Sequence, residues 1–532
     1  MKGNETMSRP DSLVIVHYHL LPGGVCSSLK NSLVALGQSG WLSHRSVKVL
    51  TGRRSGINEF RIFLDQQGLK AQIEVDPRLD YSERVWPGRD AFWQEASRLA
   101  NWFLLQVRGD SLFWAHNPTL GKNALVTAAL MKAAQQAVVS GVAHQFLYHL
   151  HDFAECGRFW NLKHLRKCWG DGGLEDFYPL SQNVSYGVLN KADSKRLAQA
   201  GIPRERIFVL PNAVPLVRTE KRKSKESIGK DLQIYAREKG YQFEYGRPWW
   251  TLPIRLIRRK NVVEALLLAA MAEDSPQLLI TLDANSEPER PYAEAVKELF
   301  RKEKHAAVVG FGHELVGSAF SFDDLLLASD VVVSTSLLEG FGFTFLEGAN
   351  RGRPLVGRNL NDVTSDFVDV GFPATSLYDE FLVPMDGQTR KEMISKGQRF
   401  AQEQGRLLGL NHSTVDRFSE EVEAIFLNTA VDFGFLELSQ QIRLAGRLQR
   451  GDLLGELKLL NSKAIEPAEF PPDFSQRVEE HFGLESHAAK LTATFEGIFD
   501  RENQEKKIAN VSDRLLDLYF RPRFHRPLIG GW

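Results

Sequence analysis

The chain has 532 residues and is 43% hydrophobic, enough for at least two cores, because single cores usually stop growing at about 250 to 300 residues. Lysine plus arginine equals aspartate plus glutamate, 66 of each, so no overall field favours nucleic acid or an anionic membrane as partner. Cys26, Cys156 and Cys168 are too few and too scattered for a disulfide framework or a tetrahedral zinc site, which favours a reducing, cytoplasmic compartment.

The first half of the chain alternates strand-like and helix-like segments, as in parallel sheets covered by helices. SLVIVHYH is predicted as a strand and not as part of a signal peptide, because it carries histidines and leads into a glycine turn. A helix follows, with apolar residues at helical spacing from Val25 to Leu36. Further strands are predicted at SLFWAH, HQFLYHLH and RIFVLP, and further helices at RDAFWQEASRLANWFLLQV and NALVTAALMKAAQQAVVS.

A second alternating series follows LPNAVP. Its strands are predicted at TLPIRLI, QLLITLD, AAVVG, VVVST and RPLVG, and its helices at NVVEALLLAAMAE, YAEAVKELFRKEK and FDDLLLAS. Residues 216–250 begin with a dense run of charge and show no clear periodicity, so we interpret them as an exposed linker or insertion. No run approaches about 18 uninterrupted apolar residues, so no membrane span is expected.

The pattern beyond residue 400 is mainly helical. We therefore predict an N-terminal domain at 1–212, a C-terminal domain at 213–400 and a helical extension at 401–532. DRLLDLYF, Asp513 to Phe520, is a candidate to cross back to the first domain. The tail FRPRFHRPLIGGW has no assigned role; packing on the body and contact between subunits are both open.

Two glycines, Gly23 and Gly24, lie between the first predicted strand and the first helix. Glycine lets a phosphate approach the backbone N–H groups at a helix N-terminus, so this turn is a candidate phosphate loop. A plain tight turn is the alternative. The dinucleotide fingerprint G-x-G-x-x-G is absent, which disfavours a nicotinamide-dependent dehydrogenase.

The segment IRLIRRKNVVEALLLAA places Arg255 at a strand end and Lys260 just before a helix opened by Asn261. Two cations at the carboxyl end of a parallel strand suit the binding of a diphosphate. Arg258 and Arg259 complete a run of four cations in an otherwise apolar segment. Ordinary solvated charge is the alternative interpretation.

The stretch SLLEGFGFTFLEGANRGRPLVG places Glu339 in the turn after a buried strand and Glu347 on the short helix that follows. Carboxylates suit vicinal sugar hydroxyls, because each accepts more than one hydrogen bond. The helix N-terminus between them can face a phosphate. In the plainer interpretation, Glu339 caps the helix and Glu347 lies on the surface.

In their spacing and order, these motifs closely resemble the retaining glycosyltransferases of family 4, over roughly residues 12–370. The resemblance implies an α/β protein of the GT-B fold, with two Rossmann-like parallel-sheet domains facing across a cleft. The N-terminal domain would be the acceptor side and the C-terminal domain the donor side. The extended helical region at the C-terminus is longer than the family usually needs.

The resemblance also implies roles for individual residues. Arg255 and Lys260 would hold the nucleotide diphosphate, Glu347 the ribose, and Glu339 would lie beside the donor sugar. The remaining expected donor-binding residues are Gly23, Gly24, Gly340, Phe341, Gly342 and Phe343.

Histidines and cations in the first half fit the same resemblance. LYHLHDFAECGR places His151 and Asp152 after a buried strand, and His151 is expected to contact donor sugar or acceptor. The expected catalytic set is therefore His151, Arg255, Lys260 and Glu339. His116, Asp152 and Arg158 are candidate acceptor residues; Arg158, with Lys163, Arg166 and Lys167, offers charge for an anionic acceptor, although such runs are usually solvated faces.

The sequence thus predicts transfer of a hexose, glucose or mannose, from a nucleotide diphosphate sugar to a small hydroxyl acceptor, an anionic or phosphorylated one included. No metal and no cofactor are expected, because no acidic D-x-D element ends a predicted strand and two cations can bind the phosphates. The alternative is a non-catalytic nucleotide-sugar-binding or regulatory protein of the same fold. The oligomeric state stays open, a dimer included.

Overall fold

The computed structural model describes residues 10–170, 174, 177–215, 222–285, 287–448, 453–500 and 510–526. The chain forms two compact units. The first comprises Met1–Pro215, Leu407–Leu410 and Glu480–Phe520, and the second comprises Leu216–Arg406, Asn411–Glu479 and Arg521–Trp532. The region 401–532, predicted as one helical extension, is therefore shared between both units.

Seven parallel strands form the sheet of the first unit, in the order β3-β2-β1-β4-β5-β6-β7. The central strands are buried along their whole length, which is why they read as continuous apolar runs. The strands are β1 (Ser12–Val16), β2 (Ser46–Thr51), β3 (Gln72–Val75), β4 (Ser111–His116), β5 (His144–Leu150), β6 (Val184–Val188) and β7 (Ile207–Val209).

Helices connect these strands, and two more from the C-terminal part of the chain join the unit. The longest connecting helices bury an apolar stripe; in α4 the cap is Asn123, whose side chain accepts hydrogen bonds from the N–H groups of Leu125 and Val126. The connecting helices are α1 (Gly24–Gln38), α2 (Ile57–Gln66), α3 (Arg89–Leu104), α4 (Ala124–Val139), α5 (Phe159–Trp169) and α6 (Lys191–Ala200).

Five parallel strands form the sheet of the second unit, in the order β10-β9-β8-β11-β12. A separate antiparallel pair, β13 with β14, lies outside it. The strands are β8 (Trp249–Arg255), β9 (Gln277–Leu282), β10 (Ala307–Val309), β11 (Val331–Ser334), β12 (Leu355–Gly357), β13 (Leu382–Pro384) and β14 (Ala430–Asp432). The predicted fold, two Rossmann-like parallel-sheet units with a mainly helical C-terminal region, is confirmed.

The remaining helices follow the same alternation and then run consecutively. They are α7 (Lys225–Lys239), α8 (Val262–Met271), α9 (Arg290–Lys302), α10 (Gly312–Leu315), α11 (Phe322–Ala328), α12 (Phe343–Glu347), α13 (Asn361–Thr364), α14 (Gly387–Leu408), α15 (His412–Phe426), α16 (Leu438–Leu448), α17 (Leu454–Leu460), α18 (Phe474–Phe482), α19 (Leu484–Phe499) and α20 (Val511–Tyr519). No helix within the described ranges is long and apolar enough to cross a membrane.

The exposed linker or insertion predicted at 216–250 contains a packed helix, so residues 225–239 are not a linker. Residues 225–239 form α7, whose buried residues include Ile228, Leu232 and Tyr235. Ser224 caps this helix by accepting a hydrogen bond from the N–H of Ser227. The apolar stripe is narrow and 7 of the 15 residues of the helix are charged, which masks its periodicity in the sequence. Residues 216–221 lie outside the described part of the chain.

The described end of the chain packs on the second unit. Phe524 and His525 are buried, and Arg526 forms an ion pair with Asp432 at 3.1 Å. The helix α20, which contains most of the DRLLDLYF segment, belongs to the first unit, where Ser512 donates a hydrogen bond to Glu155. The last residues of the predicted tail, 527–532, lie outside the described residues.

Candidate functional site

In the second unit, the loop after β8 and the loop after β11 are hydrogen-bonded to each other. The backbone N–H of Leu337 donates to the carbonyl of Arg259 at 2.8 Å, and the Thr335 hydroxyl donates to the carbonyl of Lys260 at 2.9 Å. Because β8 and β11 are neighbours in the sheet, both loops leave its carboxyl edge side by side. This edge is where ligands of open α/β sheets bind.

The two loops bring Lys260 into an ion pair with Glu339. Arg259 lies 3.6 Å from the same carboxylate and donates a hydrogen bond to the carbonyl of Leu338. Burial acts to raise the pKa of Glu339, but Lys260 and Arg259 outweigh it and the net pKa is lowered. Burial also lowers the pKa of Lys260, and Glu339 opposes that shift. The carboxylate of Glu339 is thus held ionised beside two cations.

The four cations of this loop have different surroundings. Arg255 is half-buried, and its guanidinium lies 3.4 Å from the carbonyl of Asp283. Arg258 turns into the core instead, where it donates hydrogen bonds to Gln441 at 2.8 Å and to the carbonyl of Leu436 at 2.7 Å. Arg258 is therefore a packing residue, which leaves Arg255, Arg259 and Lys260 as the candidate ligand-binding cations of this loop.

Glu347 ends α12 and is half-buried. Among the described residues, its carboxylate has no hydrogen-bond partner. Burial raises its pKa, while Arg351 and Lys260 oppose the rise. A desolvated carboxylate that lacks protein donors suits the hydroxyls of a sugar.

The glycine–aromatic turn between the two glutamates has a structural basis. Gly342 has φ +84°, and a Cβ there would lie 2.7 Å from Phe345 and 2.8 Å from Val363, so only glycine fits. Phe341 packs against Phe343 and Phe367, with ring centroids 5.0 and 5.7 Å apart. The helix α12 has five residues, so its N-terminus, which was expected to face a phosphate, offers a single turn of backbone N–H groups.

In the first unit, the glycine pair forms an exposed start to α1. No atom lies within 4 Å of a Cβ placed on Gly23 or Gly24. The neighbouring protein atoms therefore do not require glycine here, and the open space fits the predicted approach of a ligand to the backbone.

Four histidines pack together at the carboxyl edge of the first sheet. His116 Nδ1 lies 2.9 Å from His151 Nε2, and the rings of His149 and His151 are 4.4 Å apart. His17 contacts His116 at 6.0 Å between ring centroids. Burial lowers the pKa of His151 and of His116 well below the usual value, and the neighbouring imidazoles lower each further. The cluster is thus a set of neutral imidazoles.

Nitrogen atoms of His116, His149 and His151 lie within 4.8 Å of one another, which is the spacing of a transition-metal site. The indole N–H of Trp114, however, donates to His149 Nδ1 at 3.2 Å. That hydrogen bond places the proton of a neutral His149 on Nε2, so both nitrogens are engaged or protonated. Metal ligation by all three residues would require this bond to break.

The loop that carries His151 is fixed by Asn117, whose side-chain oxygen accepts hydrogen bonds from the backbone N–H groups of His151 at 2.7 Å and Asp152 at 3.2 Å. Arg158 forms an ion pair with Asp152. Arg166, which was grouped with Arg158 as acceptor-binding charge, donates instead to the carbonyl of Leu408 and pairs with Asp513 at 2.6 Å. Lys163 lies over the exposed ring of Trp160.

No family model matches the chain. A curated relative, the mannosylglucosyl-3-phosphoglycerate synthase of Petrotoga mobilis, is 29% identical over 514 residues, which cover 95% of each chain. Among solved structures, a glycosyltransferase from Rickettsia africae has a TM-score of 0.51 at 12% identity and covers 92% of this chain and 99% of its own. Sucrose-phosphate synthase from Thermosynechococcus elongatus has a TM-score of 0.50 at 13% identity, covering 91% and 98%.

The chain is a glycosyltransferase of the GT-B fold. The sequence did not point to a second group in this glycosyltransferase, which consists of two cations and one tyrosine. Arg53 follows β2, Tyr81 follows β3 and Lys122 precedes α4, and both cations lie near the ring of Tyr81. Arg53 could have been found from TGRRSG, where two arginines follow a strand as in IRLIRRK. Tyr81 could not, because only the fold brings it close to Arg53 and Lys122.

Proposed function

We propose that this glycosyltransferase moves a hexose from a nucleotide diphosphate sugar to a small acceptor that carries a phosphate or carboxylate, with retention and without a metal ion. The observation that carries the proposal is the ion pair of Lys260 with Glu339, beside the carboxylate of Glu347, at the carboxyl edge of the second sheet. Mannose is the preferred sugar and a phosphoglycerate the preferred acceptor group, in line with the name of the Petrotoga relative.

Cleavage of the bond from the anomeric carbon to the diphosphate leaves negative charge on the phosphate. Fixed cations lower such a barrier because they face the charge as it develops. Arg255, Arg259 and Lys260 supply this charge. On donor binding, the phosphates replace Glu339 as the partner of Lys260, and Glu339 then accepts hydrogen bonds from the sugar. Glu347 accepts hydrogen bonds from the ribose.

Three side-chain cations make a divalent ion redundant for charge neutralisation, which supports a metal-free reaction. Retention follows from attack on the face from which the diphosphate leaves, with a phosphate oxygen taking the acceptor proton. His151, a neutral imidazole, orients a hydroxyl of sugar or acceptor through a single hydrogen bond. The free, buried thiols of Cys26, Cys156 and Cys168 support a reducing, cytoplasmic location.

The test incubates the purified chain with GDP-mannose, GDP-glucose or UDP-glucose, each with glucosyl-3-phosphoglycerate, 3-phosphoglycerate or glycerate. Free nucleotide diphosphate and the anomeric proton signal of the product are measured. We expect turnover with a phosphorylated acceptor, an α-linked product and unchanged rates in EDTA. Absence of nucleotide release with every pair would contradict transfer, a β-linked product would contradict retention, and loss of activity in EDTA would contradict the metal-free reaction.

A further inference from the structure

A group of charged and aromatic side chains surrounds Tyr81 at the carboxyl edge of the first sheet. His19 Nε2 lies 3.1 Å from the Tyr81 hydroxyl. The guanidinium of Arg53 lies 5.6 Å from the centre of the Tyr81 ring, and the ammonium of Lys122 lies 5.5 Å from it. Arg158 is close enough to oppose the rise of the Tyr81 pKa that burial causes. Three cations thus converge on one tyrosine.

The two arginines keep hydrogen-bond donors unused by the protein. Arg53 donates to Asp80 through Nε at 2.8 Å and through Nη2, which leaves Nη1. Arg158 donates to Asp152 through Nη2. Its Nε is buried and, in the part of the chain that the structure describes, neither Nε nor Nη1 has a partner. Buried donors without a partner are costly, so a ligand that accepts from them gains binding energy.

The charge and exposure of this group fit an anion. Arg53 pairs with Asp80 and Arg158 pairs with Asp152, and the ammonium of Lys122 lies over the same Tyr81 ring as the guanidinium of Arg53. The side chains of Arg53 and Arg158 are 33% and 31% exposed, which leaves them accessible to a small molecule. Arginine binds phosphate and carboxylate through paired N–H groups, and such charge-assisted bonds are stronger than neutral ones.

The group is continuous with His151. The rings of Tyr81 and His19 are 5.2 Å apart, His19 lies 5.5 Å from His17, and His17 contacts His116. His116 in turn reaches His151, and Asp152, the partner of Arg158, is the next residue along the chain. An anion bound beside Tyr81 is therefore connected through a continuous row of side chains to the candidate catalytic histidine, an arrangement that suits the charged end of a small acceptor.

We propose that Arg53, Tyr81 and Arg158 form the subsite that holds the anionic group of the acceptor, a phosphate monoester or a carboxylate. The guanidinium groups donate to the anion oxygens, and Lys122 adds charge beside them. The assignment of the anion to the acceptor rests on the proposed function. Anion binding by these residues can be measured without any transfer.

The test measures binding by isothermal titration calorimetry, with 3-phosphoglycerate and glycerate as probes, each in the absence and presence of GDP. The variants are Arg53→Gln, Arg158→Gln and Tyr81→Phe. Arg61→Gln, on the exposed side of α2, is the control. Circular dichroism melting checks that each variant is folded. A further variant, Arg53→Lys, retains the charge but loses the paired N–H groups of the guanidinium.

We expect Arg53→Gln and Arg158→Gln to weaken 3-phosphoglycerate binding by about tenfold to a hundredfold, the range for a hydrogen bond to a charged group. Tyr81→Phe should weaken it less, and GDP affinity should not change. If 3-phosphoglycerate binds and glycerate does not, the subsite binds the phosphate. If both probes bind with equal affinity, the subsite binds the carboxylate. Wild-type affinity in both arginine variants, or no binding of either probe to the wild type with and without GDP, would overturn the inference.

The outcomes also separate this inference from the proposed function. If the wild type binds GDP and releases it from GDP-mannose, but Arg53 and Arg158 do not affect 3-phosphoglycerate, the subsite is wrong and the transfer function stands. If 3-phosphoglycerate binds through both arginines but no donor is turned over, the subsite stands and the transfer function is wrong.

Discussion

The ammonium of Lys260 and the carboxylate of Glu339 form an ion pair between two loops that leave neighbouring strands. Each loop also hydrogen-bonds the backbone of the other, so the pair is positioned before any ligand arrives. An anionic ligand therefore competes with an existing partner of Lys260. The loops hold the cation in place, and the exchange of one anion for another costs less than the desolvation of a free ammonium.

The first prediction concerns Lys260. Replacing it by methionine keeps most of the side-chain volume and removes the charge. We expect the rate of nucleotide release from the donor sugar to fall by about a hundredfold to a thousandfold, the usual cost of one electrostatic stabiliser. Lys302→Met, on the exposed end of α9, should retain the wild-type rate. Equal rates for both variants would remove Lys260 from the site.

The second prediction concerns Glu347, whose pKa is raised by burial. A carboxyl group with a folded pKa above its unfolded value contributes stability at low pH that is lost as the pH rises through the folded pKa. Glu347→Gln should therefore melt at a higher temperature than the wild type at pH 8, while the affinity for the nucleotide diphosphate falls. A variant with wild-type affinity would mean that Glu347 does not contact the donor. Glu298→Gln on α9 is the control.

The donor loops were the part of the site most accessible to prediction, because their chemistry is local. Lys260 and Glu339 each follow a short apolar strand, and the strand ends could be located in the sequence. The inward turn of Arg258 could not be foreseen, since its partners Gln441 and Leu436 are more than 170 positions away along the chain. The group around Tyr81 was missed for the same reason, as five separate segments build it.

Secondary structure was predicted best where burial is complete. The all-buried strands β4 and β11 were found, whereas β2 and β3 were not. The strand β6, VSYGV, is also fully buried but was missed, because serine and glycine interrupt its apolar run. The edge strand β3, QIEV, has no fully buried residue, so its sequence carries little apolar signal. The helix α7 was hidden by charge on its exposed face. In the region beyond residue 400, predicted only as mainly helical, Gly483 separates α18 from α19.

The third prediction concerns Glu155, which is buried and accepts hydrogen bonds from Ser512 at 2.6 Å and Tyr178 at 3.1 Å. Burial raises its pKa from 4.5 to about 7, although both hydroxyls oppose the shift. The protonated form is favoured in the fold, so its contribution to stability is complete below pH 4.5 and is lost as the pH rises through about 7.

Replacing Glu155 by glutamine removes this dependence. Relative to the wild type, the variant should gain about 3 kcal/mol of unfolding free energy between pH 5 and pH 8. Urea unfolding at both pH values measures the change, and the exposed Glu205→Gln gives the baseline. A constant difference between Glu155→Gln and the wild type across this range would show that Glu155 is ionised in the fold.

The fourth prediction concerns His116 as the residue that positions His151. The amide of His116→Asn can retain the hydrogen bond to His151, whereas His116→Ala cannot. We expect kcat/KM for the acceptor to fall about tenfold in the alanine variant and to recover in the asparagine variant, because a net hydrogen bond contributes about 1 kcal/mol. His44→Ala, exposed near α1, is the control. Equal loss in both His116 variants would assign the effect to packing.

The pH dependence of the rate is a second measurement for the prediction on His116 and His151, because it depends on the protonation state of the histidine cluster. Because burial keeps the pKa of His151 well below its usual value, the wild-type rate should show no inflection near pH 6.5. The same shift means that the neutral cluster contributes stability above the unfolded pKa, which is lost as the pH falls through the folded pKa. An inflection near 6.5 that disappears in His116→Ala would contradict the neutral assignment.

The fifth prediction concerns Arg358, whose side chain is fully buried. Its guanidinium donates to Glu264 at 2.6 Å and to Asp432 at 2.8 Å, and Tyr378 donates to the same Glu264 carboxylate at 2.7 Å. Arg358→Met leaves two buried carboxylates with Arg526 as the remaining cation. Removing one member of a buried ion pair costs about 3 to 5 kcal/mol, because the other charge loses its partner without regaining water.

The size of this loss should depend on pH in a defined direction. Arg358 and Arg526 outweigh burial and hold the pKa of Asp432 below its usual value, so the stability that Asp432 contributes is present above its unfolded pKa and is lost as the pH falls through the folded pKa. The defect of Arg358→Met should therefore be largest at neutral pH and shrink on acidification. Urea unfolding at several pH values measures the loss of unfolding free energy. Hydrogen exchange of the β12 and β14 amides shows whether that loss lies in the second unit.

Arg477→Met is the matched control, because Arg477 pairs with Asp473 where both side chains are exposed, 43% and 49%. An exposed pair of this kind contributes about 0 to 1 kcal/mol, so the control should unfold almost as the wild type does. If both variants lost the same stability, Arg358 would be a replaceable core side chain. If the defect grew on acidification instead, the carboxylates would be protonated in the native state and the buried ion pairs would not exist.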